Sequence, residues 1–128
     1  MSYTFNRFIA GATIDEIDAR TRAALAARGF GVLTEIDVQA TMKKKLDVDM
    51  PPYRILGACN PQMAYRAIGI EPRVGAMLPC NVILRAMDGG VEVSAIDPVA
   101  SMAAIDNAAL NEVAGQVRGL LASAVEAI

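Results

Sequence analysis

The stretch Asp88-Gly89-Gly90 constrains this chain more than any other. It separates Pro79–Met87 from Val91–Ile96, two runs rich in residues that favour extended backbone. Glycines at a two-residue turn supply the positive φ angles of a tight hairpin. The two runs are therefore expected as neighbouring antiparallel strands, which excludes a purely parallel sheet. Within the second run Val91, Val93 and Ala95 alternate with Glu92 and Ser94, so Glu92 is expected on the solvent side.

Upstream, three more strands alternate with helices. Tyr3–Ile9 carries aromatic and β-branched residues and reads as the first strand. Thr13 and Glu16 form a capping box, and Ile14, Ile17, Ala24 and Leu25 line one face of the helix it opens. Gly29 stops that helix, and Phe30–Ile36 is the second strand. Asp37 caps a second helix in which Val38, Met42 and Leu46 recur every four residues, until Pro51-Pro52 ends it. Tyr53–Cys59 is the third strand. Asn60 as N-cap and Pro61 at the first helical position start a third helix, with Met63, Ala64, Ala67 and Ile68 as its inner face. After the hairpin, Asp97-Pro98 opens a helical turn. Asp106 is expected to cap a long last helix with Leu110, Val113, Val117, Leu120, Leu121, Ala124 and Ile128 on its apolar side. The order β-α-β-α-β-α-β-β-α predicts an α+β sandwich: a largely antiparallel sheet of five strands with helices on one face.

The 128 residues suit a single domain, 1–128, and no linker or repeat divides them. The only basic run, Lys43-Lys44-Lys45, reads as a solvated helix face rather than a nucleic-acid surface. No apolar run reaches the length of a membrane span, and the start has no secretory pattern, so a cytoplasmic protein with reduced thiols is expected. Histidine is absent, which removes Ser-His-Asp and Cys-His catalysis and histidine-bound metals. No phosphate loop, dinucleotide fingerprint or metal motif is present, so no cofactor is expected. The carboxylates read as caps, first-turn helix residues and surface charges, and no pair has the look of an acid and base.

The only two cysteines each precede an asparagine and neighbour a proline: Cys59-Asn60-Pro61 and Pro79-Cys80-Asn81. Cys59 ends a strand just before a helix N-terminus, where a thiolate or an anion is stabilised. Its plain reading is a small buried hydrophobe. If the third and fourth strands are antiparallel neighbours, both Cys-Asn pairs meet at one sheet end. If they are parallel, the cysteines lie roughly 20 Å apart. The residues alone leave both open. The spacing between the cysteines matches no redox or zinc motif. Met63, Met77, Met87 and Met102 read either as core filler or as the lining of an adaptable pocket. Gly115, Gly119 and Ser123 put small residues on one side of the last helix, for tight packing on the domain's own sheet or for a dimer contact.

The segments ILGACNPQMAYRAI, MLPCNVIL and DGGVEVSAIDP, together with the opening strand and ARGFGVLTEIDVQATMKKKL, resemble the domain-of-unknown-function family number 302 over nearly the whole chain. The resemblance implies a small α+β domain, a homodimer, and no particular enzyme activity. The expectation is a homodimeric module, non-catalytic or weakly catalytic, that binds a small-molecule or anionic ligand where Cys59, Asn60, Pro61, Pro79, Cys80 and Asn81 converge. The alternatives are a thiol enzyme or sulfur carrier using Cys59, and a dimer whose surface is its function.

Overall fold

The structure is a computed structural model and describes residues 2–128. The chain runs β1 (Thr4–Ala10), α1 (Ile14–Ala26), β2 (Gly31–Asp37), α2 (Val38–Leu46), β3 (Tyr53–Cys59), α3 (Pro61–Ile70), a 3-10 turn (Pro72–Met77), β4 (Cys80–Met87), β5 (Gly90–Ile96), α4 (Pro98–Ser101) and α5 (Ala108–Glu126). The five strands form one sheet in the order β1-β5-β4-β3-β2, and every neighbouring pair is antiparallel. The expected α+β architecture is present.

Local chemistry sets the helix starts. Thr13 accepts a hydrogen bond from the Glu16 amide at 3.2 Å, Asp37 from Ala40 at 2.9 Å and Asn60 from Met63 at 3.3 Å. Each satisfies one amide that a helix start leaves unpaired. The last helix differs from expectation by one residue. Asn107, not Asp106, accepts from the Leu110 amide, at 3.1 Å, while Asp106 is exposed. Asn107 stands three residues before the amide it serves, and that amide belongs to Leu110, the first buried residue of the helix.

Strand alternation sorts the sheet into two faces. Leu56, Ala58, Val82, Leu84, Val91, Val93 and Ala95 are buried beneath α1 and α5, against Ile17, Leu25, Leu110 and Leu121. A charged cluster pins α1 over this layer: Asp18 accepts from Arg22 Nε at 2.6 Å and from Arg54 at 3.1 Å, and Arg54 also reaches Asp15 at 2.7 Å. Arg7 of β1 donates to the carbonyls of Val125, Glu126 and Ile128, holding the end of α5 to the sheet edge.

The other face carries no helix of this layer. Its rows follow from the register: Asn6, Ser94, Ile83, Ile55 and Ile36 in one, and Phe8, Glu92, Arg85 and Tyr53 in the next.

Two packing expectations are corrected. Ile68 is 44% exposed, and the inner side of α3 is instead Met63, Ala64, Ala67 and Ile70. Gly115, Gly119 and Ser123 do not pack on the sheet. They are exposed, and a Cβ on either glycine would meet nothing within 4 Å.

Candidate functional site

β3 and β4 are antiparallel neighbours, with Ala58 opposite Cys80 and Gly57 opposite Asn81. The two Cys-Asn segments therefore meet at one end of the sheet. Leu78 and Pro79 enter this corner through a cis peptide bond. Pro79 lies over Gly57, on the face away from α1 and α5, where a Cβ at Gly57 would stand 2.7 Å from the Pro79 ring. Thr34 of β2 crowds the same point from the other side.

Two hollows flank this corner. On the helix side is a small, partly open, apolar pocket of about 40 Å³, bordered by both cysteines, Phe30, Met63, Met102 and Val117. It has room for a few water-sized probes, against the hundreds of Å³ of a metabolite site. On the other side a depression of about 240 Å³ lies among Met77, Leu78, Pro79, Asn81, Ile96 and Ser101. No charged residue lines either hollow.

The predicted residues divide by role. Cys80 is buried on the helix face, and burial first, then the neighbouring Cys59, pushes its thiol from 9.0 up to about 11. It is a protonated, apolar wall at neutral pH. Cys59 is half-buried beside it. Asn60 is occupied: its oxygen caps α3, and its amide nitrogen reaches the Arg28 carbonyl at 3.5 Å. Pro61 is an exposed first-turn residue of α3. Pro79 borders both hollows, and Asn81 stands exposed at the rim of the larger one.

The methionines separate as well. Met63 and Met102 line the small cavity, Met77 lines the depression, and Met87 lies elsewhere, at the hairpin end of β4. Ile96 and Ser101 join the site without a sequence signal of their own. They arrive because β5 pairs with β4 and the α4 turn closes over the same sheet end. Among the described residues no group of three or more His, Cys, Asp or Glu side chains is placed to hold a metal ion. No helix of the described residues is long and apolar enough to cross a membrane.

Comparison with known proteins gives the same picture as the motifs. The family model described as "Domain of unknown function DUF302" matches residues 8–128. Among solved structures, the chain is similar to an uncharacterized conserved DUF302 protein from Bacillus stearothermophilus. The two are 26% identical, 98% of each chain is covered, and the TM-score is 0.91. No curated protein matches the sequence.

Proposed function

This chain belongs to the DUF302 family, and on that premise we propose that it is a homodimeric binding module, not a catalyst, whose ligand sits in the depression beside Pro79 and Asn81. The observation that carries this reading is the meeting of the two Cys-Asn segments across β3 and β4, with a hollow of about 240 Å³ on the outer side of their junction. Its walls are Met77, Leu78, Pro79 and Ile96, and its hydrogen-bonding side chains are Asn81 and Ser101. Such a lining suits a small, largely uncharged molecule with an apolar body and one amide- or hydroxyl-binding group. An anion finds less here. The first turn of α3 already has Asn60 as its acceptor, and no Lys or Arg lines the hollow.

The thiol-enzyme alternative is weaker on chemical grounds. A cysteine nucleophile needs a thiolate, and Cys80 is held protonated. No histidine exists to activate Cys59.

The test is a native mass spectrum of protein purified without reductant, followed by a titration with small alcohols read by amide chemical shifts. The expected result is a bound small molecule, or saturable shifts at Asn81 and Ser101 that Asn81→Ala weakens. A bare mass together with no saturable shift at this corner overturns the reading.

A further inference from the structure

The outer sheet face is one continuous surface of five strands with no helix of the α1/α5 layer across it. In one row Ile83, Ile55 and Ile36 stand side by side across β4, β3 and β2. In the next row Arg85 and Glu92 form an ion pair at 2.9 Å, flanked by Phe8 and Tyr53. Ile36 and Phe8 are each 47% exposed. Three aligned isoleucines on an uncovered face are more than a solvated sheet needs, since such faces ordinarily alternate to polar residues.

A second element lacks cover too. None of the nine residues of α2 is buried, although Val38, Met42 and Leu46 recur at helical spacing, and Leu46 is 65% exposed. A helix of this length draws little stability from its own hydrogen bonds and depends on packing. α2 follows directly from β2, which carries Ile36 at the edge of the same sheet.

We propose that a second copy of this chain docks on this face, sheet against sheet. Size permits it. Strands about 4.8 Å apart with about 3.4 Å per residue give five strands of this length a face of roughly 550 Å², so two copies bury roughly 1,100 Å², above the ~1,000 Å² expected of a specific interface. Charge permits it as well. Arg85 and Glu92 are cross-strand neighbours on β4 and β5. A two-fold axis running between these strands sets Arg85 of one copy over Glu92 of the other, and the reverse. Such an isologous contact is self-complementary. It covers the isoleucine row, and it roofs the depression at Asn81 and Ile96, which opens toward the same side. This last consequence rests on the ligand reading above, and the interface does not.

The experiment is sedimentation equilibrium at micromolar concentration on the full chain and on Arg85→Glu, Glu92→Arg and Ile83→Lys. Wild type is expected at twice the mass of one chain. Each single variant is expected to weaken self-association roughly tenfold or more, because like charges then face each other or a lysine enters the apolar row. Mixing Arg85→Glu with Glu92→Arg is the discriminating step. Within each copy the pair stays repulsive, but between copies every contact becomes attractive, so the mixture regains the dimer mass. Circular dichroism melts check that each variant is folded, and the mixing result stands even if Ile83→Lys is not. A monomeric wild type overturns the proposal. So does a dimer that survives all three substitutions, or a folded mixture that stays monomeric. Repeating the alcohol titration on a monomeric variant separates the two readings. Shifts retained at Asn81 leave the ligand site standing alone, and shifts lost with the dimer join the two.

Discussion

Gly57 and Pro79 are packed so closely that no side chain fits between them: a Cβ at Gly57 would lie 2.7 Å from the proline ring and closer still to the Thr34 hydroxyl. This contact joins β2, β3 and the entry to β4 at the corner where the candidate site lies. Gly57→Ala is therefore expected to destabilise the fold by about 1–3 kcal/mol, the usual range for overpacking. The check is a urea midpoint. An alanine variant as stable as wild type would mean that the corner yields freely.

The cysteines are expected to differ in reactivity. Cys80 is buried and protonated, whereas Cys59 is half-buried. A thiol-reactive disulfide reagent near neutral pH is expected to modify one equivalent quickly in native protein and two in denatured protein. Cys59→Ser is expected to abolish the fast phase. Fast modification of both thiols in the native state would refute the burial assigned to Cys80.

Stability is expected to fall at alkaline pH through Cys80. Its folded value, about 11, lies above the ordinary 9.0. The unfolded chain therefore releases this proton first as pH rises. The contribution is complete below the ordinary value, declines above it and is gone once pH passes the folded value, a loss of roughly 2–3 kcal/mol. Unfolding free energies of wild type and Cys80→Ala, compared at mildly and strongly alkaline pH, isolate this group from tyrosines and lysines. The variant is expected to lose less stability with rising pH.

Removing the Asp18 carboxylate is expected to loosen α1. Asp18 serves Arg22 and Arg54 at once and keeps only 12% of its side chain exposed. Asp18→Ala leaves two guanidinium groups without this partner. Both keep some contact with water, and Arg54 keeps Asp15, so a loss of about 1–3 kcal/mol is expected, below that of a fully buried pair. Thermal melts check it. A double substitution with Arg54→Met that recovers part of the loss would identify the pairing as the cause.

The two neighbours at the start of α5 offer a sharper contrast. Asn107→Ala is expected to cost about 1 kcal/mol, since it removes the acceptor for the Leu110 amide. Asp106→Ala is expected to leave the melting temperature nearly unchanged, because Asp106 is exposed and caps nothing. Equal effects would mean that the cap is shared.

Much of this fold is written within three or four residues of each decision. Thr13, Asp37 and Asn60 each cap a helix by reaching an amide three positions ahead, and Asp88-Gly89 turns the β4–β5 hairpin, so their elements were legible directly from the sequence. The likeness carried by the GFGVLTEIDV and LPCN segments was legible for the same reason, as short contiguous patterns. The α5 cap was missed by one residue, because Asp106 and Asn107 are both competent caps and the burial of Leu110 chose between them.

The site belongs to the tertiary structure. Nothing between Cys59 and Cys80 in the sequence states whether β3 and β4 run together or in opposition. That depends on which strand edges pair, a long-range choice made by burial across the whole sheet. The same choice crowds Pro79 against Gly57, brings Ile96 and Ser101 to the depression, sends Met63 and Met77 to opposite sides of one corner, and aligns Ile36, Ile55 and Ile83 across three strands. The sequence by itself determined the elements, because hydrogen bonds near in the chain set them. Only the fold decided which side chains meet, because that follows from register, and register is fixed by the core.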